Sequence, residues 1–397
     1  MKPGIGNRGS GIGRNGDACF AALAQPGIRA LKAYDPGHDL VALRRRFGAG
    51  RLVELGANEN PYGPSPAARQ AALEALDTAH RYPDPLGGGL KRALADRLGV
   101  APAQLLLGNG SHELLMQFAQ VFAGPDAAVA MSQHGFAVYA LAAQAAGAPL
   151  QFAPAWAPDA AMPRGHAPNA LASVVSARTR LLYLANPNNP TGTWIAADAL
   201  AALLARLPDE VIVVVDEAYA EFADAPDYRS ALSLLPRHRN LVVTRTFSKA
   251  YALAGLRVGY AVADAGLIAV MERLRESFNA NSVALAAATA ALEDEAHLQR
   301  VVSANAQQRP LLAEALRARG CFVHPSQTNF LLAGFGDDAA AVEAGLLQRG
   351  VVVRPMAGYG LPQCLRITVG TADENTRLLR ALDETTKPTY PATDQRG

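Results

Sequence analysis

The sequence predicts an α/β fold: a large domain on a mostly parallel sheet flanked by helices, followed by a smaller α+β domain. Three observations carry that expectation. Val211 to Val215 is a β-branched run without polar alternation, as in a strand covered on both faces. From Leu105 to Val262 apolar strand runs alternate with helical patterns, and polar residues gather where the strands end. After about Met271 the pattern changes to a long helical stretch, alanine-rich from Val283 to Leu292, and then to short strands around Phe322, Phe330 and Val351.

Composition sets the outer limits. A chain of 397 residues, half of them hydrophobic, can bury a large core and divides into at least two domains. A net charge of +2 offers no field for nucleic acid or an anionic membrane. Cys19, Cys321 and Cys364 form no CxxC pair and read as free thiols in a reducing cytoplasm. No signal-peptide core and no bilayer-length apolar run is present, so the expectation is a cytoplasmic protein without nucleic-acid or membrane partners.

In chain order, Gly4 to Gly9 formally matches a dinucleotide fingerprint, but no strand precedes it and no apolar helix follows; residues 1–25 read as a flexible leader. Tyr34-Asp35-Pro36-Gly37 is turn chemistry ahead of a short helix. Leu52 to Pro66 is an irregular loop crowded with Asn58, Asn60 and Tyr62, and helices follow at Ala67 to Asp77 and Leu90 to Leu98. The strand Leu105 to Leu107 then runs through Gly108 and Gly110 into a helix opened by Ser111 and His112. Such a turn is either a plain connection or an anion seat made of free N–H groups. The histidines show no ligand spacing, so no metal is expected.

Phe136 lies just past the strand Ala127 to Met131, as core or as a stacking surface. The strand at Leu181 ends in Asn186-Pro187-Asn188-Asn189-Pro190-Thr191-Gly192. Asp216 and Tyr219 follow Val215, at the strand end where open α/β sheets place ligands; an acid there caps a helix or holds a cation. Ser248 and Lys249 come after the apolar run at Leu241, with Arg257 eight residues beyond the lysine. Lys249 among apolar neighbours either snorkels or serves as an amine nucleophile whose ammonium is disfavoured by desolvation. Arg354 and Arg366 sit on or beside the last strands, and the tail from Thr385 reads as disordered.

Six collinear stretches resemble the fold-type I pyridoxal-phosphate aminotransferases, and within them the histidinol-phosphate branch. They are NENPYGPSP from Asn58, GNGSHELL from Gly108, NPNNPTG from Asn186, VVVDEAY from Val213, TRTFSKAYALAGLRVGY from Thr244 and LRITVG from Leu365. The resemblance implies an arm at 26–57, a large domain at 58–275, a small domain at 276–384 and a tail at 385–397. It implies that Lys249 carries pyridoxal 5'-phosphate as a Schiff base, that Asp216 pairs with the ring nitrogen, and that Asn189 and Tyr219 bond the ring's phenolic oxygen. Phe136, where many relatives have tyrosine, stacks on the ring. Gly110, Ser111, His112, Ser248 and Arg257 hold the phosphate, and Tyr62 reaches a second subunit's site in a homodimer. Arg366 grips the α-carboxylate, while Tyr34, Asn60 and Arg354 contact the rest of the substrate. The implied reaction interconverts histidinol phosphate and 2-oxoglutarate with imidazole-acetol phosphate and glutamate. An aromatic amino-acid aminotransferase and a decarboxylase of the same fold are the rival readings, and a ligand-sensing regulator would need a DNA-binding module that the leader is too short to supply.

Overall fold

The computed structural model describes residues 20–32, 37–48 and 50–386. Tyr34, Cys19, the fingerprint-like glycines and the tail beyond 386 lie outside the described residues. Residues 20–23 are already helical, so regular structure starts before Pro26, within the stretch read as leader.

The main sheet is seven-stranded: β2 (Leu105–Gly108), β3 (Ala128–Ser132), β4 (Leu150–Ala153), β5 (Thr179–Ala185), β6 (Ile212–Asp216), β7 (Leu241–Thr246) and β8 (Gly259–Ala263), in the order β2-β8-β7-β6-β5-β3-β4. Strands β3 to β7 pair in parallel, and β8 runs antiparallel between β2 and β7. Val213, Val214 and Val215 are fully buried, as continuous β-branched strands covered on both faces must be. One face packs Leu114, Leu115, Phe118 and Tyr139, and the other Leu200, Leu203 and Leu204, so the sheet is the middle layer of three.

The register lines up what matters later. Ala185, Asp216 and Thr244 are partners across β5, β6 and β7. Gly108, Gly259 and Thr246 are partners across β2, β8 and β7.

The helical stretch after Met271 is two helices, Ser282–Glu293 and Glu295–Arg317. Asp294 separates them and accepts a hydrogen bond from the His297 N–H at 3.1 Å, an N-cap that starts the second helix. Beyond it, β9 (Phe322–Val323), β10 (Phe330–Gly334), β12 (Arg354–Pro355) and β13 (Cys364–Thr368) make an antiparallel sheet in the order β12-β13-β10-β9. An early strand, β1 (Val53–Glu54), pairs in parallel with β11 (Val351–Val352). The chain therefore passes through the C-terminal region before it reaches the loop at 56–60. Among the described residues no helix is long and apolar enough to cross a membrane.

Candidate active site

Three strand ends form the floor. Asp216 is 5% exposed, and its carboxylate accepts from Tyr139 Oη at 3.0 Å and from Thr244 Oγ1 at 3.3 Å. The second donor follows from the register, and the first comes from the helix Ala137–Ala145 lying over the sheet. Burial pushes the carboxyl up to about 6, and the hydrogen bonds only partly oppose it. A buried anion held by neutral donors, with no ion-pair partner among the described residues, is poised to receive a cation. Phe136 precedes the helix and meets Tyr139 edge to face at 5.8 Å.

After β7 the chain turns sharply. Thr246 Oγ1 accepts from the Ser248 N–H at 3.1 Å and donates to Ser248 Oγ at 2.9 Å, a hydroxyl-closed turn that presents Lys249. Lys249 is half-buried, with Nζ donating to the Ala57 carbonyl at 3.1 Å and lying 5.9 Å from the Tyr219 ring centre. Desolvation, reinforced by the Arg366 cation, lowers its amine to about 8. Glu59, Arg257 and Asp216 act on the same amine electrostatically, so these groups converge on one site.

An anion cradle lies to one side. Ser111 opens a twelve-residue helix, leaving N–H groups at its dipole's positive end. Gly110 precedes it at φ 77°, where a Cβ would fall 2.4 Å from Arg257 Nη2, so only glycine admits the guanidinium so close. Gly259 has the same tightness, since a Cβ there would lie 2.5 Å from the Ser111 nitrogen. Arg257 donates to Ser248 Oγ at 3.4 Å and to the Ala254 carbonyl at 3.1 Å. Desolvation and the Arg257 cation hold the His112 imidazole below its ordinary value. Hydroxyls, helix N–H groups and a guanidinium are the donor set a phosphate ester requires.

The opposite wall comes from distant segments. Arg366 on β13 is 8% exposed and donates to Asn189 Oδ1 at 2.7 Å and to the Gly56 carbonyl at 2.9 Å, its guanidinium 5.4 Å from the Phe330 ring. Arg354 is its cross-strand partner, and the Arg354 guanidinium lies against Gly37. Tyr219 packs edge to face on Phe330 at 5.2 Å and accepts from Asn58 Nδ2 at 2.9 Å. Asn60 turns its amide to the backbone, donating to the Lys249 and Ala250 carbonyls at 3.2 and 3.0 Å. Tyr62 is 36% exposed, with Glu374 as its charged neighbour.

The structure thus gathers Lys249, Asp216, Tyr219, Asn189, Arg366, Asn60, Ser248, Arg257, Gly110, Ser111 and His112 around one strand-end cleft, with Phe136 joined to it through Tyr139. Sequence reasoning missed Tyr139, Thr244 and the Ala57 carbonyl as functional groups, and it pointed to Asn58 as a polar side chain of a site loop without its link to Tyr219. Tyr139 carried one signal, a hydroxyl on the helix that follows Phe136; the Ala57 carbonyl carried none. Chemically, the cleft offers an amine nucleophile near neutrality, a carboxylate seat for a cation and a phosphate cradle.

Comparison with known proteins points the same way. Residues 51–382 match the aminotransferase class I and II family. Histidinol-phosphate aminotransferase 2 of Pseudomonas aeruginosa is 45% identical over 367 residues, covering 91% of this chain and 97% of the relative. Histidinol-phosphate aminotransferase 1 of Nitrosococcus oceani is also 45% identical over 367 residues, covering 92% and 98%. The crystal structure of histidinol-phosphate aminotransferase from Sinorhizobium meliloti in complex with pyridoxal-5'-phosphate superposes with a TM-score of 0.81 at 31% identity, covering 91% of this chain and 97% of that one.

Proposed function

The chain belongs to the class I and II aminotransferases, and on that premise we propose that it is a pyridoxal 5'-phosphate-dependent transaminase exchanging the amino group of histidinol phosphate with 2-oxoglutarate in histidine biosynthesis. The observation that carries the reading is the convergence of the Lys249 amine, the buried Asp216 carboxylate and the Arg257–Ser111 cradle on one cleft. When bound, the cofactor supplies an electron sink, and this chain's residues supply the rest.

Lys249 Nζ would anchor the cofactor, and as a free amine it would take the proton from the substrate's amino-bearing carbon and hold it on Nζ. An amine lowered to about 8 is roughly one-tenth neutral at pH 7, far more than an ordinary lysine, which suits it to take that proton. Asp216 holds a cationic ring nitrogen, with Tyr139 and Thr244 fixing the carboxylate. Asn189 and Tyr219 direct donors at the ring's phenolic oxygen, and Phe136 covers the ring. Gly110, Ser111, His112, Ser248 and Arg257 seat the phosphate. Arg366 meets the glutamate α-carboxylate with its planar fork, and Asn60 orients the lysine loop at the substrate side. Arg354, aligned with Arg366 across the sheet, and Tyr34 take the phosphate-bearing end of the other substrate.

Tyr62, exposed on its own chain, serves a second copy's site, which makes the enzyme a homodimer. We place it in the cytoplasm, and read 58–275 as the large cofactor domain, 276–384 as the small domain and 26–57 as the arm joining it.

The test is a single turnover on the cofactor-loaded protein, following loss of the cofactor's visible absorbance. Histidinol phosphate is expected to bleach it far more efficiently than phenylalanine, and 2-oxoglutarate to restore it. Preference for phenylalanine moves the substrate to the aromatic class. Release of carbon dioxide without amino transfer overturns the transaminase reading.

A further inference from the structure

Five consecutive residues, 56–60, touch Arg366, Lys249 and Tyr219. The carbonyls of Gly56 and Ala57 accept from Arg366 and Lys249 at 2.9 and 3.1 Å, and Asn60 holds the lysine's backbone. At the centre stands Asn58, 2% exposed and at φ 55°, a left-handed conformation asparagine tolerates better than most residues. Its N–H donates to Thr368 Oγ1 at 3.0 Å, and its carbonyl accepts from Asn329 Nδ2 at 3.1 Å. Its side-chain Nδ2 donates to Tyr219 Oη at 2.9 Å, while Oδ1 is buried without a hydrogen-bond partner among the described residues.

A phenol has one proton to give. With Asn58 Nδ2 filling an acceptor position on Oη, that proton is free to go elsewhere, and the incoming bond polarises the O–H. We propose that Asn58 is a positioning residue that commits Tyr219 to donate toward the cofactor's phenolic oxygen and strengthens it as a donor. The inference rests on the function given above. Burial lifts the Tyr219 phenol to about 12, against the opposing pull of Arg366 and Asn58. The unpartnered Oδ1 makes the side chain's orientation consequential: with the amide reversed, Oδ1 would take the Tyr219 proton for itself.

Aspartate at 58 imitates that reversed amide, because it only accepts, whereas glycine keeps the left-handed backbone and deletes the amide. If Asn58 served the backbone alone, both replacements would leave Tyr219 undisturbed. The measurement is the pH midpoint of the bound cofactor's visible absorbance change. A ring oxygen deprived of a donor holds the neighbouring nitrogen's proton more tightly, so the midpoint rises. Y219F is expected to raise it by about one unit, N58G by roughly half that and N58D by at least as much as Y219F. In the Y219F background N58G should add nothing, because the two residues act as one unit. In the cofactor-free protein, ultraviolet titration with Y219F as the blank should show the phenol rising further in N58G. An N58G midpoint equal to wild type while Y219F shifts, or an unchanged N58G shift in the Y219F background, overturns the inference and leaves the function standing. If Y219F itself moves nothing, the reading of the site falls and the role of Asn58 with it. Should N58G not fold, N58D in the same two backgrounds decides.

Discussion

Asp216 and Arg366 are both buried, both charged and both carried on strands, yet they are held in different ways. Asp216 is fixed by Thr244 on the adjoining strand and by Tyr139 on a helix of the same sheet. Arg366 is fixed by Asn189 and by the Gly56 carbonyl, at separations of 177 and 310 residues. One side of the cleft is thus internal to a single sheet, and the other is stitched from segments that meet only in the finished fold. The sheet side sets the electrostatics of the chemistry. The stitched side sets which substrate is gripped and how the lysine and tyrosine are aimed.

Substitutions can pull these two sides apart. The largest effect is expected at their meeting point: K249A should lower turnover by at least about 10^4-fold while circular dichroism and non-covalent cofactor binding persist. Full activity in that variant would contradict the assignment.

Next comes the sheet side. D216N should lower kcat by roughly 10^2–10^3-fold, since it removes the fixed charge facing the cation. The same change should stabilise the cofactor-free protein near pH 7. The folded state raises the carboxyl to about 6, so it favours the protonated form, and the penalty for ionisation is absent below pH 4 and complete above about 6. Thermal unfolding of the cofactor-free protein across that window should show wild type losing stability relative to D216N as pH rises, by up to about 3 kcal/mol. Parallel curves would mean that Asp216 is not strained by burial.

On the stitched side the effect should fall on KM. R366K keeps the charge but loses the fork that spans Asn189 and Gly56, and KM for glutamate should rise roughly 10- to 100-fold with a smaller change in kcat. A loss confined to kcat would place Arg366 with the chemistry instead. The smallest change is expected for Y139F, which removes one of two side-chain donors to Asp216. About 1 kcal/mol of lost hydrogen bonding corresponds to a several-fold weaker hold on the cofactor, read as its dissociation constant, with substrate KM unchanged.

The same division governs what could be read from residues alone. Strands β2, β3, β5, β6 and β7, the carboxylate at the end of β6 and the glycines before Ser111 were legible because each depends on local pattern and on neighbours close in sequence. Strands β4 and β8 were not singled out, and the antiparallel direction of β8 carries no local signal, because a buried apolar strand looks alike in either direction. One helical run after Met271 proved to be two helices, since a lone Asp294 inside a helical pattern is silent until its cap is seen. Asn58 stood out, with Asn60 and Tyr62, as one of three polar side chains that point the loop towards a site, but with no partner or role of its own. Its left-handed backbone and its grip on Tyr219 depend on Thr368 and Asn329, which no local window contains.

The pairing of β1 with β11, and of Asn58 with Thr368, also orders events in time. A chain emerging from the ribosome has every strand of the main sheet once residue 263 is made, so the floor bearing Asp216 can assemble early. The loop at 56–60 is synthesised long before that; its bonds to Tyr219, Lys249 and Ala250 can form with the sheet, but those to Asn329, Arg366 and Thr368 must await residues 329–368. The segment carrying the lysine's partner carbonyl, Ala57, is therefore among the first parts of the site to be made, while its anchors to the C-terminal strands are among the last to form. A chain arrested between those two points would carry the sheet and the lysine without the wall that aims them.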